Sequence, residues 1–215
     1  MPGSLMVDGS GRRFTNESQS YDSIGRDMLR RDVQDAWLII DWRHRQRYLF
    51  GAMPPGQTPK AMFDLGFFLR ADTIEALAGK CGLDPVALRQ TVDRFNGFAR
   101  TGVDEEFGRG AAPYDNYWGD PTHKPNPNLG MIDKPPFLAT RVYLGDLGTK
   151  GGLLTDEEGR VLSEGGTPIE GLYAAGNATA SVMGHGYPGP GATLGPAMTF
   201  AFLAARHAAS RVSNG

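Results

Sequence analysis

Apolar residues in the first half of this chain recur at helical spacing, whereas in its last third they form short runs cut by glycine. Val86, Leu88, Val92, Phe95 and Phe98 mark one face of a helix. Asp84-Pro85 gives that helix an N-cap and a proline at its first position. A helix before it is predicted from Asp72-Thr73-Ile74-Glu75, an acidic capping box with Asp72 as N-cap and Glu75 as the returning acid. It ends near Lys80-Cys81-Gly82, with the glycine suited to a left-handed cap. Cys81 therefore reads as a small buried hydrophobe. Closer to the start, residues 3–15 read as a strand, a Gly-Ser-Gly turn and a second strand. Ser20 or Asp22 caps a helix from Ser23 to about Ala36, and Trp37-Leu38-Ile39-Ile40 is a short apolar strand. Arg43, Arg45 and Arg47 alternate, which reads as the solvated edge of an extended segment before the break at Met53-Pro54-Pro55-Gly56.

Residues 101–136 lack periodicity but hold Phe107, Tyr114, Tyr117 and Trp118, so they read as a long ordered loop that covers something. Phe137–Leu144 is predicted as a strand, and Gly151–Leu162 as a hairpin turning at Asp156-Glu157-Glu158-Gly159. Gly171–Asn177 reads as a short buried strand ending in a Gly-Asn turn, and Ala197–Ala209 as an apolar helix. Helices and strands are mixed, which places the fold in the α+β or α/β class.

Composition removes several functions. Net charge is −2 with both signs interspersed, which gives no footprint for nucleic acid. One cysteine excludes an internal disulfide, and the four histidines have no metal-ligand spacing. No apolar run reaches the roughly 20 residues of a membrane span. The start has no signal-peptide core, so a cytoplasmic location is the expectation.

Glycine, 30 of 215 residues, concentrates late in the chain. Gly184-His185-Gly186-Tyr187-Pro188-Gly189-Pro190-Gly191-Ala192-Thr193-Leu194-Gly195-Pro196 carries five glycines and three prolines just ahead of the last helix. Glycine permits close backbone approach, and a helix that starts where such a loop ends offers free N–H donors and a positive dipole end. That arrangement suits a developing negative charge. Tyr187 is the ionisable hydroxyl inside the loop. The alternative is a rigid turn that packs a helix on a sheet. Gly186–Gly191 fails the dinucleotide fingerprint, because prolines occupy N–H positions and no ribose-binding acid follows about 20 residues later.

Several segments together resemble the C-terminal part of the flavoprotein family that holds fumarate reductase, succinate dehydrogenase and the 3-ketosteroid dehydrogenases. General family marks are Gly11-Arg12-Arg13-Phe14-Thr15-Asn16-Glu17, Gly151-Gly152-Leu153-Leu154-Thr155-Asp156 and Gly171-Leu172-Tyr173-Ala174-Ala175-Gly176-Asn177. Similarity to the 3-ketosteroid 1-dehydrogenase branch rests on Tyr117–Pro121, Pro125–Leu129, Gly145–Gly152 and, above all, Tyr187-Pro188-Gly189-Pro190-Gly191-Ala192-Thr193. The resemblance runs from about Pro2 to His207. It implies a substrate (catalytic) domain over residues 1–147, followed by the C-terminal segment of an FAD-binding Rossmann-like domain over 148–215. The family's N-terminal βαβ unit is not found here, so the chain resembles a fragment, or one subunit of an enzyme split over two chains.

The resemblance further implies FAD as cofactor and 1,2-desaturation of a 3-ketosteroid, with an external electron acceptor. Tyr187 O–H and the Gly191 N–H would face the ketone oxygen, and Tyr21 would take the alpha proton. A tyrosine pKa near 10 requires lowering or a relay for that role. Tyr21 as an ordinary helix-start aromatic is the other reading. Gly176, Asn177, Ala192, Thr193 and Leu194 would contact the flavin. Tyr114, Tyr117 and Trp118 would line an apolar pocket or pack in the core. Two other functions compete: a fumarate or succinate oxidoreductase, which requires arginines to clamp two carboxylates, and a non-catalytic remnant that binds a hydrophobic ligand or partner. The expected partner is a second polypeptide with the N-terminal FAD-binding region, or a further copy of the chain.

Overall fold

Trp37-Leu38-Ile39-Ile40 is apolar without alternation because both faces of its strand are covered. In the computed structural model, β1 (Ser4–Val7), β2 (Asp35–Ile40), β3 (Leu69–Ala71) and β4 (Phe137–Tyr143) form one antiparallel sheet in the order β1-β2-β4-β3. Residues 1–146 and 148–212 are described. The chain divides into two units, Met1–Leu144 and Gly145–Gly215. Leu147, where the expected domain boundary falls, lies outside the described residues.

The register pairs Leu5 with Ile39 and Ile39 with Ala139, and Trp37 and Ile39 of β2 share one face. That face packs on α4 (Ile74–Cys81) and α5 (Pro85–Thr101) through Leu77, Leu88, Val92 and Phe95. On the other face, Ala36 meets Phe14 and Met28 of α1 (Tyr21–Arg30). Further along it, Ile40 and Leu138 meet Phe68, with Met62 and Phe63 of α3 (Lys60–Asp64) packed beside them.

Several local expectations are corrected. No second strand follows the Gly9-Ser10-Gly11 turn: the Asp8 carboxylate caps the amides of Ser10 and Arg12, and β1 pairs with β2 instead. α1 stops at Arg30 because Asp32 takes a left-handed φ of 54°, letting the Val33 amide bond back to Met28. Thr73 rather than Asp72 caps α4, its hydroxyl accepting from the Ala76 amide. Val86 leaves the apolar stripe of α5 and is exposed. The arginine-rich segment is a helix, α2 (Trp42–Arg47), capped by Asp41. Arg43 and Arg47 are exposed as expected, but Arg45 is fully buried and donates to the carbonyls of Tyr48, Pro54 and Gln57, so the solvated-edge reading fails at Arg45. Cys81 is buried as expected, and burial pushes its thiol up to about 12.

The long loop is ordered by side chains rather than by a strand ladder. It contains one short helix, α6 (Pro113–Tyr117). The Asn126 amide donates to the Gly102 carbonyl, accepts from the Asn128 amide and fills the space that a side chain at Gly110 would need.

The second unit holds the hairpin of β5 (Arg160–Leu162) and β6 (Pro168–Tyr173), a 3-10 turn at Gly176–Ala178, and α7 (Leu194–Val212). Tyr173 Oη and His207 Nδ1, 2.7 Å apart, tie β6 to α7. β6 is mostly exposed rather than buried. Val161 and Ala204 are the unit's buried apolar residues among those described, whereas Leu194, Met198 and Phe202 of α7 are open to solvent. α7 begins three residues before the predicted Ala197.

Candidate functional site

The segment leading to Tyr21 is anchored by buried charges. Arg13 forks onto Glu17 at 2.9 and 2.8 Å and onto Asp104 at 3.0 and 2.9 Å. Arg109 donates to Glu17, to the Ser18 hydroxyl and to the Ser4 carbonyl. Burial alone pushes the Glu17 and Asp104 carboxyls up. For Glu17 the facing guanidinium groups of Arg13 and Arg109 outweigh it, and for Asp104 Arg13 does, so both lie below their ordinary values. Asn16 then donates to Asp115 on α6, and the Ser18 hydroxyl to Asn128, whose amide reaches Asn116. The chain entering α1 is thus stitched to the helix that carries Tyr114 and Tyr117. Ser20 caps α1 by accepting from the Ser23 amide, which makes Tyr21 its first residue, about half exposed.

Tyr114 is partly buried, but Tyr117 and Trp118 do not pack in the core. They stand on the surface in edge contact, ring centroids 5.2 Å apart. A separate open cleft of about 460 Å³ lies between α2 and residues 123–131, lined by His44, Tyr48, Ala99, Lys124 and Met131 among others. Burial lowers His44 to about 4, where its Nδ1 meets the Pro2 carbonyl at 2.8 Å.

In the second unit, backbones approach closely wherever glycine stands opposite the 3-10 turn. A Cβ on Gly152 would lie 2.6 Å from the Thr179 carbonyl carbon, and one on Gly148 2.8 Å from Asn177 Nδ2. Leu153 consequently donates to Ala178, and Ala180 to Leu153. Gly176 faces α7, its missing Cβ 3.4 Å from the Ala197 methyl. The structure therefore brings Gly176 and Asn177 beside the first turn of α7, where Leu194 is the first residue and Ala192 and Thr193 precede it.

The glycine loop turns by local bonds, Gly184 to Ser181, Gly186 to Met183 and Ala192 to Gly189. Gly184, Gly189 and Gly191 take positive φ values of 55°, 142° and 89°. Among the described residues, the amides of Gly191, Thr193 and Leu194 donate to no acceptor in the chain. Lys150 Nζ reaches the Gly186 carbonyl at 2.8 Å and stands 5.8 Å from the Tyr187 ring centroid. Gly184-His185-Gly186-Tyr187-Pro188-Gly189 does match the letters G-x-G-x-x-G. No strand runs directly into it, and the helix starts only at Leu194, so it lacks the strand–loop–helix geometry of a pyrophosphate cradle. Free amides at a helix start do fit the electron-rich pyrimidine edge of a flavin ring.

The FAD binding domain model matches residues 1–194. The chain belongs to the FAD binding domain family. Within this flavoprotein family, a 3-oxosteroid 1-dehydrogenase of Mycobacterium tuberculosis is 50% identical over 98% of this chain and 39% of its own length. A 4-oxocyclohex-2-ene-1-carboxylate 5-dehydrogenase of Sinomonas cyclohexanicum is 41% identical, over 99% of this chain and 37% of that protein. The crystal structure of 3-ketosteroid delta1-dehydrogenase from Sterolibacterium denitrificans, in complex with 1,4-androstadiene-3,17-dione, superposes with a TM-score of 0.91 at 48% identity. It covers 98% of this chain and 39% of that one. The chain thus spans about two fifths of the length of these relatives. The mixed helix and sheet content is that of an α+β flavoenzyme. Among the described residues, no helix is long and apolar enough to cross a membrane, and no cluster of His, Cys, Asp or Glu suits a metal.

Sequence reasoning missed Arg13, Glu17, Asp104, Arg109 and Asp115 as the frame behind the Tyr21 segment. The available signal was a run of acids and an arginine, Asp104-Glu105-Glu106-Phe107-Gly108-Arg109, in a loop that otherwise reads as irregular. Charges rarely bury unless paired. Nothing in the spacing, however, names partners about 90 residues apart.

Proposed function

We propose that this chain supplies the substrate domain, about residues 1–147, and the C-terminal part of the FAD-binding domain, 148–215, of an enzyme that desaturates a 3-ketosteroid between carbons 1 and 2. The observation that carries the reading is the glycine loop. It holds the Tyr187 hydroxyl and, ahead of a helix start, the Gly191 amide, which donates to no acceptor among the described residues. Two donors aimed at a ketone oxygen stabilise the enolate that forms when the neighbouring carbon loses a proton. Tyr187 and Gly191 take that role. Tyr21 receives the proton as the phenolate, or passes its own proton on through a relay as it does so, and its position is held by the Arg13–Glu17 and Asn16–Asp115 bonds. Tyr114, Tyr117 and Trp118 offer apolar surface to a flat, water-poor substrate.

Gly176, Asn177, Ala192, Thr193 and Leu194 would hold the flavin ring. Bound there, the flavin would supply the hydride acceptor for the beta carbon, and an external electron acceptor would be needed to reoxidise it. A dicarboxylate substrate is disfavoured, because Gly184–Pro196 contains no arginine to clamp a second carboxylate. The pyrophosphate cradle is assigned to a second polypeptide or to a further stretch of the same protein. A cytoplasmic location belongs to this reading.

The test is Tyr187→Phe in the assembled flavoenzyme, with steroid-dependent dye reduction normalised to flavin absorbance near 450 nm. Turnover should fall by about 10²–10³-fold with flavin content unchanged. Retention of more than about half of wild-type turnover, against that expected loss, overturns the loop as a ketone-activating site. A protein that stays colourless in every assembly supports the non-catalytic reading.

A further inference from the structure

We infer that Lys150 is a positioning residue for Tyr187. The inference rests on the proposed role of Tyr187 and adds the group that holds it in place. Lys150 reaches across 36 residues of chain to bond the Gly186 carbonyl at 2.8 Å, the residue immediately before Tyr187. The same ammonium faces the Tyr187 ring, 5.8 Å from its centroid. Its own backbone is fixed, because the Lys150 carbonyl accepts from the Ser181 amide at 2.9 Å, just where the loop leaves the parallel pairing of Leu153 with Thr179. Lys150 therefore joins the root of the loop to its tyrosine.

The reason such a tether matters is local. Each turn bond inside Gly184–Ala192 spans only three residues, and three glycines hold left-handed values that the unrestrained chain leaves readily. An oxyanion donor contributes only if it is held at the reacting atom before the charge develops. An ammonium with three hydrogens can serve a carbonyl and a ring face together. Arginine at this position would keep the cation and the donor, whereas methionine would keep only the stem.

Two readouts separate this inference from the reading it rests on. In the 215-residue chain, hydrogen–deuterium exchange over Gly184–Thr193 should speed up in Lys150→Met and stay near wild type in Lys150→Arg. Unchanged exchange in Lys150→Met overturns the tether, whatever Tyr187 does. In the assembled flavoenzyme, Lys150→Met should lower kcat by about tenfold, less than the ~10²-fold that a 1 Å misplacement can cause, with flavin content unchanged and Lys150→Arg restoring most of the rate. In a Tyr187→Phe background the same change should do almost nothing further. Independent, multiplicative losses in the double variant would overturn the link from Lys150 to Tyr187. Full turnover in Tyr187→Phe alone would instead remove the proposed role of Tyr187 while the exchange result still decided the tether.

Discussion

Arg13 and Asp104 meet through two parallel N–H···O bonds, 3.0 and 2.9 Å long, across 91 residues of sequence, and both side chains are almost fully buried. The pair closes the long loop onto the segment that leads to Tyr21. It is also flanked by a second guanidinium and a second carboxylate, since Arg109 and Glu17 bond at 3.1 Å. Opposite charges alternate through the cluster, which is how four of them stay buried at once.

Removing one member leaves an unpaired buried charge. Arg13→Met is expected to destabilise the first unit by about 3–5 kcal/mol. Arg13→Met with Asp104→Leu should cost clearly less than the two single changes added together, because neither orphan remains. Urea denaturation followed by tryptophan fluorescence gives these values. Strict additivity would argue against the pairing.

His44 sets a pH dependence. Its folded value is lowered from 6.5 to about 4, mainly by burial. Between those values the unfolded chain binds a proton that the folded chain does not. Stability from this group is therefore complete above pH 6.5 and lost as pH falls towards 4, by up to about 1.4 kcal/mol per pH unit. Denaturation midpoints at pH 7 and pH 5 check it. His44→Gln should be less stable at pH 7 and should flatten the decline.

Backbone proximity in the second unit predicts a contrast between neighbouring glycines. Gly152→Ala sets a methyl against the Thr179 and Ala178 backbone, which cannot rotate away, whereas a methyl at Gly151 meets nothing within 4 Å. Gly152→Ala should cost about 1–3 kcal/mol or more, and Gly151→Ala less than about 1 kcal/mol. Circular dichroism melting of the two variants decides the matter. Equal behaviour would contradict the observed approach.

The chain should associate through α7. Leu194, Met198 and Phe202 lie four residues apart on one exposed stripe, 64–71% accessible. Sedimentation of the chain by itself at micromolar concentration is expected to show self-association. Met198→Glu with Phe202→Glu should shift the 215-residue chain towards monomer. A compact wild-type monomer would count against this surface as an interface.

FAD should leave the isolated chain on dialysis. The ring contacts proposed for the start of α7 and the Gly176–Ala178 turn hold only one end of the cofactor, and no strand–glycine-loop–helix cradle for the pyrophosphate is present among the described residues. Stoichiometric FAD retained after dialysis would show that these residues hold more of the cofactor than its ring end.

What the sequence determined by itself is what neighbours along the chain decide. Asp84-Pro85 and Gly82 bound their helices as expected, Cys81 is buried, Phe137–Tyr143 is a strand, and Asp156–Gly159 is a hairpin turn, because each rests on interactions within a few residues. The glycine-rich loop before a helix was equally legible, since loop and helix start are contiguous. Tertiary structure alone decided the rest. It turned Arg13 inward to Asp104 instead of into a second strand, buried Arg45 among carbonyls, and placed Asn177 against Gly148 and Lys150 against Gly186. A charged residue carries no mark of whether it faces water or a partner 91 positions away. Burial of charge depends on the partner's geometry, and that geometry exists only once the chain has folded.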